Sequence, residues 1–412
     1  MDHRPFSVRE DHRGMFGKGE VKPVGPCWQA GLLSVALLFA GDARAAEERS
    51  FLIAGLDGKT FFRAEGSVNG PNGHDGLAVI DIADPARPRL AHVLGLDTSV
   101  YGPPTNLQIT PDGRLGLVTS PVTMRQEGES WWAQGDDRLH VIDLAAEPPA
   151  LIETIRVGRQ PSGLAISKAG DVALVANREG RSVSVLAISG RSVRVVAEVD
   201  VGAEAAAVAL APDGRRAYVA KNKAGTVGIL TLADGQWRHD PALDMPVGPG
   251  TYGLEVTPDG AFALSGNTGP APSDGHVDTV ALLRAGTARP VVLDHIGIGD
   301  TAETLAISPD GRRAAIAVVK GSAAPQASPA YTPGSAAVLV GIGPEGRLRY
   351  LSEAPAGAVV QGIAFDPSGD YVYIGNYTDR SLGVYRIEGE TIRETGFRLA
   401  LPGQPASLRG RP

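Results

Sequence analysis

The sequence predicts an all-β fold: a seven-bladed β-propeller of four-stranded antiparallel blades, closed by a terminal strand that latches the ring. Three observations predict it. The chain has 412 residues with 53 Gly and 31 Pro, a density of turn formers at odds with a helical bundle. It is 43 % hydrophobic but only 5 % aromatic, too apolar for a disordered chain. One phrase, an apolar stretch, a Pro-Asp-Gly-like turn and a second apolar stretch, recurs along it, and each repeat has room for four short strands.

The N-terminal segment stands apart. Gly31–Ala40 is the only long apolar run; Lys18 and Lys22 precede it and Ala43-Arg44-Ala45 follows. A basic flank, a short apolar core and an A-x-A site make a secretory signal peptide over residues 1–46, cleaved near Ala45 or Ala46, with Met15 an alternative start. Its core is too short to span a bilayer. A periplasmic or secreted location is expected, with no membrane span after cleavage. Cys27, the only cysteine, precedes the apolar core, so disulfides, thiolate nucleophiles, Cys-ligated metal and covalent haem are excluded from the mature chain. Acidic residues outnumber basic ones, 46 to 39. No basic stripe marks a nucleic-acid interface.

Residues 47–412 read as one propeller domain. The phrase runs LQITPDGRLGLV from Leu107, LAISKAGDVALV from Leu164, VALAPDGRRAYV from Val208, LEVTPDGAFALS from Leu254, LAISPDGRRAAI from Leu305 and IAFDPSGDYVYI from Ile363. AGLDGKTFF from Ala54 reads as a degraded first copy. The turn glycines are then Gly58, Gly113, Gly170, Gly214, Gly260, Gly311 and Gly369, 44–58 residues apart. Proline presets φ and glycine takes the positive-φ position, so each turn joins two period-2 strands. Third strands follow (SVSVLAI from Ser182, TVGILTL from Thr226, LGVYRI from Leu382), then fourth strands such as RVVAEV from Arg194. Near the C-terminus Gly403–Leu408 echoes Gly158–Leu164, which opens an innermost strand; the tail is expected to complete the blade begun near Phe51.

ALVANREGRSVSVLAI (173–188), AYVAKNKAGTVGILTL (217–232) and VYIGNYTDRSLGVYRI (372–387) resemble YVTN-type repeats. These occur in the seven-bladed superfamily of bacterial lactonase-type propellers and amine-dehydrogenase heavy-chain-like proteins, and the likeness covers residues 51–410. The motifs are structural turns, so the resemblance speaks for fold more than function.

Insertions point to a face. From turn glycine to third strand, blades three, four and seven need 13 residues, blade one 19, and blades two and six about 26. The extra length falls in strand 2–3 loops, all on one face: Ser67–Asp75, Pro121–Asp137, Thr268–Gly275 and Lys320–Gly334. Long loops on a rigid scaffold often carry function. Trp131 and Trp132 lie in the second loop, where they either cover a ligand, anchor a partner or plug the loop's own base. Alignment at the starts of inner strands puts Thr105, Ser162, Ala206, Tyr252, Glu303, Gln361 and Ser407 around the channel. Glu303 is the ring's only acid and a candidate general base or cation ligand. Asn177, Asn267 and Asn376 end second strands at one position, where repetition favours turn capping; Asn267 and Asn376 also count among the candidate binding residues, with His74 and Asp75. No recognised ligand spacing unites His74-Asp75 or His276-x-Asp278 with Glu303 around a metal, and no cofactor motif, nucleophile elbow or phosphate loop is present.

The expected function is therefore binding of a small ligand or partner protein on the decorated face by a monomeric exported propeller that carries no cofactor. The resemblance implies an alternative, a lactonase-like hydrolase acting on a cyclic ester at the channel mouth, though no family catalytic set maps onto these residues. It also implies a third, an electron-transfer subunit whose partner would carry the cofactor.

Overall fold

Seven radial sheets surround a central channel in the computed structural model, which describes residues 50–269, 273–287 and 289–411. The expected signal peptide and Cys27 lie outside the described residues. Blades two to seven each run from an inner strand outward: Leu107–Ile109, Pro161–Ile166, Ala205–Leu210, Thr251–Val256, Ala302–Ile307 and Val360–Phe365 are the inner strands. The second strands end at Glu127, Asn177, Lys221, Asn267, Val318 and Asn376. All pairings within blades are antiparallel. Blade four departs from the pattern. Its outer edge is split between Gln236–His239 and Met245–Pro246, with a 3-10 turn Pro241–Leu243 between them.

Blade one is assembled from both ends of the chain. Gln404–Gly410 is its inner strand, paired with Phe51–Asp57, followed by Gly76–Asp81 and Arg89–Gly95. The inner strand also packs beside Val360–Phe365 of blade seven and Leu107–Ile109 of blade two. This corrects the reading of the first repeat. Phe51–Asp57 is a second strand, so blade one has no Pro-Asp-Gly turn, and Gly58 lies in the strand 2–3 connection. The other six turn glycines adopt φ between 66° and 76°, whereas Gly58 is not among the positive-φ residues. A Cβ at Gly58 would collide with the His74 backbone; close packing, not turn chirality, requires the glycine there.

The six turns also join blades to one another. Gly113, Gly170, Gly214, Gly260, Gly311 and Gly369 each donate their N–H to the carbonyl three residues back. Thr110, Thr257 and Ser308 hold the turn Asp through their hydroxyls and accept the N–H of the next strand. The turn proline then packs on the next blade's glycine: Pro111 under Gly170, Pro212 under Gly260, Pro258 under Gly311, Pro309 under Gly369. Blade three carries Lys168 in place of the proline, and nothing lies within 4 Å of the Gly214 Cβ position. A cavity of about 430 Å³ opens there, lined by Lys168, Pro212, Gly214 and Trp237.

The core is divided the same way. Buried residues group into clusters between neighbouring blades, such as Leu264, Val280, Leu305 and Ile316 between blades five and six, or Leu52, Ala78, Tyr373 and Val384 between seven and one. Full burial of one such Leu contributes about 1.5–3 kcal/mol. The frequent Ala and Gly let adjacent sheets approach closely.

Candidate functional site

The strand 2–3 insertions stand on the face from which the inner strands start, and they touch one another in sequence. In blade one the insertion is a hairpin, Thr60–Arg63 with Gly66–Asn69. In blade two the second and third strands extend into a long ribbon, in which Arg125 faces Trp132 and Gln126 faces Trp131. Asn69 Nδ2 donates to the Trp131 carbonyl at 3.4 Å, and Asn72 exchanges bonds with the Met124 backbone at 2.8 Å in both directions. Gln326 of the blade-six insertion donates its N–H to the Ala64 carbonyl at 2.8 Å. Ala330 of that insertion packs against Gly275 of blade five. The wall thus runs from blade five through six to one and two, passing over blade seven, whose Tyr377 meets Phe62 edge-on at 5.5 Å and donates to Thr60 O. Trp131 is half-buried; Trp132 is 59 % exposed, so it does not plug its loop.

Below the wall, β-bulges govern the ring. Inner strands lose register between Pro161 and Leu164, Ala205 and Ala207, Thr251 and Leu254, Ala302 and Thr304, and Gln361 and Ile363. Ser162, Ala206, Tyr252 and Glu303 are therefore residues that leave the ladder, and a bulge re-aims the side chain it releases. Gly163, Gly253 and Gly362 sit beside them and let each inner strand approach the next one: a Cβ at Gly253 would stand 3.3 Å from Thr304 Cα.

Glu303 is 9 % exposed and accepts from Gln361 Nε2 at 3.0 Å. Burial pushes its carboxyl up to about 7, against the Gln361 bond and the Arg178 charge, which favour ionisation. Arg178 follows Asn177 at the end of blade three's second strand, and its guanidinium lies 6.0 Å from the Tyr252 ring centroid, within cation–π range. Burial and the Glu303 charge both raise the Tyr252 phenol, against the Arg178 charge and the nearby Gly102 N–H. Among the described residues Thr105 Oγ1, Ser162 Oγ, Gln361 Oε1, Ser407 Oγ and Arg178 Nε are buried without a hydrogen-bond partner. Six blades thus bring a carboxyl, a guanidinium, an amide and hydroxyls to one mouth.

Sequence reasoning missed Arg178 and the strand connection above it. Residues 96–106 link blade one to blade two, whereas the other connections between blades span two to four residues. This segment folds into the mouth: Gly102, Pro103 and Pro104 are buried, and a Cβ at Gly102 would stand 2.5 Å from Ser162 Oγ. Asp97 and Asp136 hold Arg138 between them at 2.6 Å each, tying the segment to the ribbon. The spacing from Gly95 to Leu107 was the available signal.

The remaining candidates are structurally engaged. Asp75 is buried against the Lys59 ammonium and accepts the Gly58 N–H at 2.7 Å; burial raises its carboxyl despite Lys59. His74 is exposed, and His276 faces solvent beside Asp274 at 3.2 Å. Asn267 donates to Val247 O and Thr279 Oγ1, and Asn376 to Ser381 Oγ while accepting from Gly357 N–H. Asn177 bonds Ser182 and Ser184. These amides tie second strands to third strands. Among the described residues no three His, Cys, Asp or Glu groups are placed to hold a metal ion, and no helix is long and apolar enough to cross a membrane.

No sequence-family profile matches the chain, and no curated protein resembles it in sequence. Solved structures resemble it in fold. A Bacteroides fragilis protein provisionally assigned as a 6-phosphogluconolactonase aligns with a TM-score of 0.64 at 14 % identity, over 90 % of this chain and 99 % of that one. The periplasmic gluconolactonase of Pseudomonas aeruginosa aligns at 0.61 and 19 %, over 88 % and 98 %. Hydrazine synthase of Kuenenia stuttgartiensis aligns at 0.55 and 19 %, over 71 % and 78 %. Identities this low speak for architecture alone. The chain has the fold of the lactonase-type seven-bladed β-propellers.

Proposed function

We propose that this protein is an exported propeller, a single domain over residues 47–412, that binds a small polar ligand at the channel mouth on its insertion face. One observation carries the reading: Arg178, Tyr252, Glu303 and Gln361 converge there beside buried polar atoms of Thr105, Ser162 and Gln361 that have no partner within the protein. A buried polar atom left unpaired costs roughly 1–3 kcal/mol, so a ligand rich in hydroxyl and carbonyl groups fits these atoms as a hydrogen-bond partner. Arg178 lies within electrostatic reach of Glu303 and suits a ligand that also bears an anionic group. Trp132 stands on the rim, where an indole covers a ligand's apolar face.

A second reading, hydrolysis of a cyclic ester, is favoured by the Glu303 carboxyl near neutrality, the range in which a carboxylate works as a general base on water. Similarity in fold to a periplasmic gluconolactonase suggests the first substrates to try. Purified protein is titrated with aldonates and aldonolactones by thermal shift, and hydrolysis is followed by acid release. Binding without turnover supports the first reading; turnover abolished in Glu303→Gln supports the second. Neither binding nor turnover across the panel rejects both. Export is tested by fractionating cells that express the full chain, and a chain retained intact in the cytoplasm rejects it.

A further inference from the structure

Blade five's inner strand sends two long side chains toward the channel at different depths. At the mouth, the Tyr252 phenol stands near the Gly102 backbone, in the segment that leads into blade two. Three residues further along the same inner strand, about 10 Å deeper, Glu255 Oε1 accepts a charged hydrogen bond from Arg409 of the closing strand in blade one. Blades one and five are three steps apart in a ring of seven, the largest separation the ring offers, so this ion pair spans the axis. Its depth is fixed from both ends. Glu255 lies two residues before the Thr257 turn, and Arg411, two residues beyond Arg409, donates to the Pro111 carbonyl in the turn of blade two. Both turns are on the face opposite the insertions. Level with Glu255, five residues before their turn glycines, the other inner strands carry Gln108, Ala165, Ala209, Ala306 and Ala364. Four of these five are alanine, so Gln108 is the one other long side chain at the level of Glu255 and Arg409. Arg409 and Glu255 are both largely buried, and Arg409 Nε is one of the buried atoms without a partner.

We propose that Glu255 and Arg409 form the floor of the axial channel, so that the site at Tyr252 and Glu303 is a blind pocket. Its ligand enters and leaves on the insertion face alone. The pocket takes a compact monomeric molecule and rejects any chain that must thread the ring. Tyr252 is then the residue that sets how large a ligand passes the mouth. The proposal concerns the same site as the binding reading, but its test needs no ligand and fails or holds separately.

The test is the accessibility of one thiol. In a full-length Cys27→Ser background, Ser162→Cys places a reporter in the ring above the floor, and its reaction with a small cationic methanethiosulfonate is timed. Combining it with Glu255→Ala and Arg409→Ala is expected to speed the reaction at least fivefold. A reporter at Ala315→Cys, within the core of blade six, is expected to react no faster than before. If the Ser162→Cys rate is unchanged by removing the pair, or if the Ala315→Cys rate rises in step with it, the floor does not exist and the proposal is overturned. Should the double alanine variant fail to fold, Glu255→Gln with Arg409→Met cuts the ion pair while keeping most of the bulk, and at least a twofold gain is required. The mouth is checked with Tyr252→Ala, which is expected to admit a bulkier thiosulfonate that the parent excludes; equal exclusion rejects Tyr252 as the size limit.

Discussion

Glu303 is a carboxyl placed where burial makes its charge expensive, and that has a measurable consequence for stability. Its folded pKa of about 7 lies above the ordinary 4.5. Between those values the folded state holds a proton that the unfolded state has lost, so stability falls as pH rises through the window and levels off above it. Glu303→Gln removes this dependence. The melting temperature of the variant relative to the parent is expected to climb from pH 4.5 to 7.5, an effect of at most about 3 kcal/mol. Parallel melting curves across that range would reject a raised Glu303. Asn177 offers a contrasting residue. Its amide bonds two serines in a buried site, and Asn177→Ala is expected to cost about 1–2 kcal/mol by chemical denaturation, with ligand binding at the axis unchanged. The two roles were unequally legible. Asn177 repeats as Asn267 and Asn376, so its capping role is visible in the sequence. Glu303 was found by alignment alone, and its environment depends on Gln361 and Arg178 from other blades.

Elements repeat where the turn chemistry repeats. Blade three breaks the pattern at Lys168, and the neighbouring cavity shows what the missing proline leaves behind. Lys168→Pro is expected to stabilise the protein by roughly 0.4–1 kcal/mol, through the unfolded chain and by refilling the contact with Gly214; loss of stability in urea unfolding would show that the Ser167 turn differs from its siblings. The connection over residues 96–106 is the opposite case, an element with no repeat to betray it. Arg138 pins it through Asp97. Arg138→Met is expected to cost about 1–3 kcal/mol and to speed hydrogen exchange at Val100–Asn106, while exchange in blade five stays as it was. Gly58 was misread for a related reason: a glycine needed for close approach looks, in sequence, like a glycine needed for a turn. Only its φ tells them apart.

At the scale of the whole molecule, the number of blades was readable because each interface between blades carries its own small core, so every repeat had to keep the same apolar spacing. How the ring's contents meet at the axis was not readable, since those contacts join residues 58 to 154 positions apart, such as Glu303 with Gln361, Arg178 with Tyr252 and Glu255 with Arg409. Removing residues 404–412 deletes the inner strand of blade one, opens the edge of Phe51–Asp57 and takes a packing neighbour from Val360–Phe365 and Leu107–Ile109. That truncation is expected to yield insoluble or aggregating protein, measured by soluble yield and light scattering. A cooperative melt within 5 °C of the parent, an allowance of about 4 kcal/mol for a domain of this length, would show that the strand is dispensable.

The pairing of Gln404–Gly410 with Phe51–Asp57 also sets a clock. Every other blade is complete once its own residues have been synthesised, but the first strand to emerge must wait for the last. Until Gln404–Gly410 has been made, Leu52, Ala54 and Leu56 have no inner neighbour, and the closing contact joins residues as far apart in sequence as Leu52 and Gly410. Contacts of that range form late. The ring therefore stays open until its closing strand has emerged, and a translocation machine that accepts only unfolded polypeptide would meet the earlier blades before that closure.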